Sequence, residues 1–172
     1  MTWTAPTVTR SPEPFTGDER AMLEGWLDWH RLTLLTKCAG LTGDQLAQRS
    51  VPPSTLSLLG LVRHMTYVER AWFRQRFLGE DVPALYSTPE DPDADLLATN
   101  PDEAEAAFAA LDAEWNAVRK GVAGASLDDT FTTERHGTRS LRWIYLHMIE
   151  EYARHNGHAD LLRERIDGVT GD

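Results

Sequence analysis

The fold is decided by a long helical pattern in residues 140–166, SLRWIYLHMIEEYARHNGHADLLRERI. At about 100° per residue, most of its apolar side chains fall on one face of a helix. They are Leu141, Ile144, Tyr145, Met148, Tyr152, Ala159 and Leu162. We therefore predict an amphipathic helix that begins near Ser140, ends near Ile166 and buries this face against other helices.

Three further segments show the same periodicity. They run from about Asp18 to Cys38, from Ser57 to Leu78 and from Asn100 to Lys120. No segment has sustained two-residue alternation bounded by hairpin turns. Four amphipathic helices predict an all-α fold, a four-helix bundle, because each apolar stripe must be covered by another. The long stretch 79–99 permits a crossover connection, and we expect one domain over 1–172 with an N-terminal extension at 1–16.

Composition and charge argue against several classes of protein. The formal net charge is −10, whereas nucleic acids and anionic membranes attract cationic surfaces. No run approaches the roughly 18–20 apolar residues that a membrane span needs. The N-terminal stretch MTWTAPTVTRSPEPF lacks the apolar segment of a signal peptide, and the single Cys38 cannot form an internal disulfide. We expect a cytoplasmic protein without a nucleic-acid or membrane partner.

Polar residues interrupt the apolar faces of the second and fourth predicted helices. Glu151 and His155 are four residues apart, so they share a helix face, and both lie in or beside the apolar arc. His64 lies on the flank of the second stripe. Two imidazoles and one carboxylate suit zinc or a similar divalent ion with one position left open. The alternatives are that Glu151 is salt-bridged to an arginine and that His64 is a hydrogen-bonded histidine at the core boundary.

These residues lie in stretches that resemble a known family. LDWHRLTLL, STLSLLGLVRHMTYVERAWF and LRWIYLHMIEEYARHNGHADLLRERIDG are similar to the DinB/YfiT-like superfamily of metalloenzymes, over about residues 17–168. The actinobacterial branch with the mycothiol-dependent enzymes is the most similar. The resemblance implies a DinB-like four-helix bundle with a long crossover connection, and metal ligands at His64, Glu151 and His155.

Two positions depart from the majority pattern of this superfamily. Most members carry three histidine ligands, whereas Glu151 stands at the middle position here, as in mycothiol-dependent maleylpyruvate isomerase. The usual His-Arg-Gly-Gln ending is replaced by His155-Asn156-Gly157-His158, and the sequence leaves the role of His158 open.

The resemblance implies a reaction between a small thiol, mycothiol, and a small-molecule electrophile. Metal coordination favours the thiolate, which is the nucleophile. We expect a metal-dependent thiol S-transferase that acts in detoxification, with zinc as the metal and nickel as an alternative. The other hypotheses are an isomerase of the maleylpyruvate type and a non-catalytic metal-binding helical dimerisation module. At 172 residues the chain is shorter than isomerases with an additional C-terminal domain, which favours the transferase.

Other residues near the predicted site receive two interpretations each. His147, one turn before Glu151, is either a residue that orients a ligand or acts as acid or base, or a histidine at the edge of the core. Arg154, Arg139 and Arg142 either hold a carboxylate or sugar-like portion of the thiol, or lie in solvent and ion pairs. A homodimer is consistent with the family, and the role of the 79–99 loop is not determined by the sequence.

Overall fold

The computed structural model describes residues 2–171, and these are mostly helical, as predicted. The helices are α1 (Glu19–Cys38), α2 (Gly43–Ala47), α3 (Leu58–Glu69), α4 (Ala94–Leu97), α5 (Ala104–Val122) and α6 (Leu141–Asp167). A π-helical segment, Arg70–Phe77, continues α3, and a 3-10 turn, Pro101–Glu103, leads into α5. The strands β1 (Thr130–Thr133) and β2 (Gly137–Ser140) precede α6.

Polar side chains cap the N-terminal ends of three long helices. Asp18, Ser57 and Ser140 each accept a hydrogen bond from a backbone N–H three residues later, so one free donor of the first turn is satisfied. Asn100 also caps, but it starts the 3-10 turn rather than α5 itself. Gly168 ends α6 with a φ of 79°, a left-handed conformation that favours glycine.

The expectation of a purely α-helical chain requires a correction, because β1 and β2 form an antiparallel hairpin. Thr130 pairs with Ser140 and Phe131 with Arg139. Each strand has four residues, and within them only the Phe131 side chain is buried, so the sequence shows no alternating pattern. The hairpin is held by tertiary packing, since the Phe131 ring lies 6.2 Å from that of Phe77 and 6.5 Å from that of Trp72.

The four long helical segments surround one cluster of buried apolar side chains. Helix α6 packs mainly along α1, and α3 packs against α5 and the short α4. The start of the chain also packs on this body, because Trp3 contacts Phe108 and Thr4 forms a bridge with Thr42. Within residues 2–171, none of the helices combines the length and apolar character needed to cross a membrane.

A buried polar network joins the four long helices at the centre of this core. Arg31 of α1 donates two hydrogen bonds of 2.7 Å to the carboxylate of Glu69 on α3. Tyr152 of α6 donates to the same carboxylate at 3.1 Å, and the indole N–H of Trp115 on α5 donates to the Tyr152 hydroxyl at 2.9 Å. Because Tyr152 follows Glu151, this network fixes the rotation of α6 at the candidate site.

A candidate metal centre

His64 enters the candidate site from α3 with one ring nitrogen already engaged. Its Nδ1 lies 2.7 Å from Oδ2 of Asp95, and its side chain is 18% exposed. A carboxylate beside Nδ1 favours the tautomer in which Nδ1 carries the proton. The lone pair of Nε2 is then free to bind a metal.

Asp95 is the residue of this site that sequence analysis missed. It lies on α4, inside the 79–99 connection, and only 3% of its side chain is exposed. Burial raises the pKa of Asp95, but the hydrogen bond to His64 and a backbone hydrogen bond from Leu96 act in the opposite direction, and the pKa is lowered overall. Nothing in the local sequence marks this aspartate among the acidic residues of the loop, because its role depends on a contact 31 residues away.

Glu151 and His155 approach His64 from successive turns of α6. His155 Nε2 lies 3.5 Å from Glu151 Oε2, and their side chains are 10% and 17% exposed. The rings of His64 and His155 are 4.8 Å apart, centroid to centroid. One ligand atom from each of the three residues lies within 4.8 Å of the other two. The structure thus brings together three residues that are far apart in the sequence.

The donor set and its charge fit a divalent cation. Two atoms that are each about 2.2 Å from one ion can be at most about 4.4 Å apart, which is close to the separations here. Hydrogen bonding to His155 lowers the pKa of Glu151, against the opposing effect of burial, so this side chain is a carboxylate at neutral pH. Two imidazoles and one carboxylate leave a coordination position for water or substrate.

Comparison with known proteins places the sequence of this chain in a family. The family model described as mycothiol-S-transferase matches residues 22–168. The chain belongs to the mycothiol-S-transferase family. This result confirms the resemblance to the DinB/YfiT-like proteins near the mycothiol-dependent enzymes.

Structural comparison agrees on the fold of this family member. A conserved protein from Enterococcus faecalis, known from a crystal structure, superimposes with a TM-score of 0.50 over 90% of this chain and 100% of its own. The two sequences are 15% identical, so the likeness concerns the fold alone. A search among curated proteins gives no match.

His147 borders the three residues in this mycothiol-S-transferase family member. Its Nε2 lies 3.7 Å from Oε1 of Glu151, and its ring stacks on Trp143 at 4.8 Å. Burial lowers the pKa of His147, so its ring is neutral at neutral pH. His158 lies on the other side, with its Nδ1 3.4 Å from Nδ1 of His155, and burial lowers its pKa as well.

The three arginines singled out in the sequence have different surroundings. Arg154 forms an ion pair with Glu150, one turn earlier on α6. Arg142 forms ion pairs with Glu19 and Asp128 near the first turn of α1, so its charge is already neutralised. Arg139 lies over the Trp143 ring at 5.2 Å and makes no ion pair with any residue in 2–171.

A second group of ligand atoms and two cavities fit a metal or substrate less well. His147, Glu150 and Glu151 also lie within 4.8 Å of one another, but this group has one imidazole and Glu150 is paired with Arg154. A cavity of about 280 Å³ between α1, α5 and α6 is lined by charged side chains that neutralise one another. Another, of about 340 Å³, lies beside the C-terminal residues. Neither cavity borders His64.

Proposed function

We propose that this protein is a metal-dependent thiol S-transferase that joins mycothiol to small electrophiles. The observation that carries the proposal is the approach of His64, Glu151 and His155 to one point, in a chain of the mycothiol-S-transferase family. The family gives the thiol and the reaction class, and the geometry supplies a reason why a metal is needed.

The ligands in this proposal are Nε2 of His64, a carboxylate oxygen of Glu151 and one ring nitrogen of His155. This set suits zinc, and nickel is the alternative. A divalent cation bound here favours the thiolate form of a coordinated thiol, and thiolate is the nucleophile. Glu151 reduces the net positive charge of the site, which moderates that effect.

The surrounding residues position these ligands and handle the thiol proton. Asp95 accepts a hydrogen bond from Nδ1–H of His64 and so keeps Nε2 available. His147 is neutral, and its Nε2 lies 3.7 Å from Glu151. We assign to His147 Nε2 the role of accepting the proton that the thiol releases on binding. The resulting imidazolium is stabilised by the neighbouring Glu151 carboxylate.

We also propose that the chain folds as a single domain, a DinB-like four-helix bundle with a crossover connection. Two observations support it: α6 packs along α1, and the 79–99 connection packs on α3 through α4. In this arrangement, the crossover delivers Asp95 to the site.

Metal content of the purified protein tests the ligand set. Wild type is expected to hold about one divalent ion per chain, and His64→Ala is expected to lose it. The matched control is His30→Ala, since His30 of α1 is half-buried but belongs to neither group of candidate ligands. Wild type without metal after reconstitution with zinc or nickel would contradict the proposal.

Activity tests the reaction class separately. The zinc-loaded protein is incubated with mycothiol and monobromobimane, and the thioether product is quantified against metal-free protein. A rate that depends on metal and is lost in His64→Ala supports the transferase. Metal binding without such a rate would leave the non-catalytic alternative, and isomerisation of maleylpyruvate would identify the other enzyme class.

A further inference from the structure

Two arginines beside the candidate metal centre have no carboxylate partner among residues 2–171. Most arginines of this acidic chain form ion pairs, such as Arg31 with Glu69 and Arg70 with Glu114. Arg76 and Arg139 form none with any residue that the structure describes, although both are partly buried. Holding a partly buried guanidinium without a counterion is unfavourable in isolation, which suggests that an anion completes this environment.

The two guanidinium groups are held by a pair of tryptophans. Cζ of Arg76 lies 4.4 Å from the ring centroid of Trp72, and Cζ of Arg139 lies 5.2 Å from that of Trp143. The two indole rings are themselves 5.0 Å apart. We call these four residues the arginine–tryptophan face. Contact with an aromatic ring stabilises a guanidinium without using its N–H edges. One N–H of Arg139 donates to the backbone oxygen of Thr138 at 2.9 Å, and its other N–H groups are not engaged with any residue in 2–171.

The tertiary fold assembles this face. Trp72 and Arg76 come from the π-helical segment after α3, Trp143 comes from α6, and Arg139 comes from β2. The hairpin that sequence analysis missed therefore supplies one of the two cations.

A single histidine, His147, lies between the arginine–tryptophan face and the candidate ligands. The His147 ring is 4.9 Å from that of Trp72 and 4.8 Å from that of Trp143, while its Nε2 is 3.7 Å from Glu151. Contacts therefore run continuously from Glu151 through His147 and the two indole rings to the two guanidinium groups.

The titration of neighbouring groups agrees with an excess of positive charge. The pKa of His136 in the hairpin turn is lowered by burial and then by Arg76, Arg135 and Arg139. The pKa of Arg76 is lowered by burial, and Arg135 contributes in the same direction. Glu134 lies in the same hairpin turn, where Arg76, Arg135 and Arg139 outnumber it. On α6, Glu150 and Glu151 are engaged with Arg154 and His155.

We propose that the arginine–tryptophan face binds a carboxylate group of the electrophile, and so selects anionic electrophiles over neutral ones. The inference rests on the proposed function for the reaction that follows binding. A guanidinium only donates hydrogen bonds, so the face suits a carboxylate better than sugar-like hydroxyls of the thiol, which both donate and accept. In this proposal the thiol binds at the metal position, and the electrophile approaches the thiol from the side of the arginine–tryptophan face.

Calorimetric titration with unreactive analogues tests the binding step without turnover. Zinc-loaded protein is titrated with 3,5-dinitrobenzoate and with 3,5-dinitrobenzamide, which differ in charge but little in shape. Wild type is expected to prefer the carboxylate by about tenfold to a hundredfold, the range for a charge-assisted hydrogen bond. Arg76→Gln and Arg139→Gln are each expected to reduce the preference, and the double variant to remove it.

Arg165→Gln is the matched control, because Arg165 is exposed at the end of α6 and makes no ion pair among residues 2–171. It should keep the wild-type preference. Equal affinities of wild type for the two analogues would overturn the proposal, and so would undetectable binding of both. A preference that survives in the double variant would also overturn it, since the carboxylate would then be bound by the metal.

Competition with the thiol shows which of the two reactants binds at the carboxylate site. The titration is repeated in saturating mycothiol, and dinitrobenzoate is expected to bind alongside it. Displacement by mycothiol would assign the face to the thiol and overturn the assignment to the electrophile.

Turnover separates this inference from the proposed function. The substrates are 4-chloro-3,5-dinitrobenzoate and its carboxamide, in which the mycothiol sulfur forms a bond to the ring carbon as the carbon–chlorine bond breaks and chloride leaves. A binding preference for the carboxylate without turnover would support carboxylate binding by the arginine–tryptophan face and contradict the transferase function. Turnover whose preference for the carboxylate does not depend on Arg76 and Arg139 would support the transferase function and contradict the role of the arginine–tryptophan face.

Discussion

At the scale of single residues, the contact that prepares the candidate metal centre is the 2.7 Å hydrogen bond between His64 and Asp95. It favours the tautomer of His64 with the proton on Nδ1, and so leaves the lone pair of Nε2 free to bind a metal. Sequence spacing predicted the three candidate ligands, because two lie one helical turn apart and the third interrupts an apolar stripe. Asp95 could not be predicted in this way, since no periodicity relates a loop aspartate to a histidine on another helix.

We expect Asp95→Asn to weaken zinc binding by about tenfold to a hundredfold, the usual effect of removing a partner that orients a metal-bound histidine. The amide keeps the size of the side chain but no longer carries the charge that fixes the Nδ1 proton. Competition with a chromogenic zinc chelator measures the change. Asp91→Asn is the control, because Asp91 is exposed on the same connection. Equal affinities of the two variants would show that Asp95 does not orient His64.

At the scale of secondary-structure elements, Asp95 can reach His64 because α4 lies unusually close to α3. Gly60, one turn before His64, allows this approach: a Cβ at position 60 would lie 2.3 Å from the backbone oxygen of Leu96. A backbone atom cannot move aside as the end of a flexible side chain can, so the glycine sets the distance between the two helices. The sequence predicts α3 itself from its apolar stripe, but the reason for a glycine inside that stripe appears only when α4 is in place.

Gly60→Ala should therefore push α4 away, lower the thermal unfolding temperature and weaken zinc binding together. The control is Gly157→Ala in α6, where nothing lies within 4 Å of the added Cβ. Because alanine is the better helix former by about 0.5–1 kcal/mol, Gly157→Ala should stabilise the protein. Thermal melts followed by circular dichroism, with zinc titrations, check both variants. Wild-type zinc affinity in Gly60→Ala would contradict the role assigned to this close approach.

At the scale of the whole molecule, the buried network of Arg31, Glu69, Tyr152 and Trp115 connects α1, α3, α6 and α5. A buried carboxylate is tolerated only when it is paired and hydrogen-bonded, so the four helices must adopt the one arrangement that completes these bonds. Tyr152 is next to Glu151, and the network therefore also fixes the direction from which α6 presents its candidate ligands.

Tyr152→Phe is expected to lower the free energy of unfolding by about 1–3 kcal/mol, because the buried indole N–H of Trp115 loses its acceptor. Chemical denaturation with urea measures the loss. Tyr67→Phe is the matched control, since the Tyr67 hydroxyl makes no hydrogen bond to a side chain or backbone among residues 2–171. Equal small losses in both variants would show that the network contributes little to stability.

Ion pairs at the two ends of α6 make the stability of the whole fold depend on pH. Glu19 pairs with Arg142, and this hydrogen bond lowers the pKa of Glu19 from 4.5 against the effect of burial. Burial raises the pKa of Asp167, but hydrogen bonds from Arg163 and from the Val169 backbone oppose it, and the pKa is lowered overall from 3.8. A folded-state pKa below the unfolded value stabilises the protein above the unfolded pKa, and this stabilisation is lost as pH falls through the folded one. The melting temperature should therefore fall as the pH is lowered below about 4.5. The fall should be smaller in the double variant Glu19→Gln/Asp167→Asn than in the control Glu90→Gln.

The sequence by itself determined the helical class, the approximate course of the four long helices and three of the residues that meet at the candidate site, because helical periodicity and ligand spacing are local properties. It also carried the resemblance that the family comparison confirmed. The tertiary structure decided the rest. The hairpin exists because Phe131 packs on Phe77 and Trp72, and Asp95 reaches the site on an element distant in the sequence from His64 and from α6. Such contacts depend on how elements pack, and the local order of residues does not encode them.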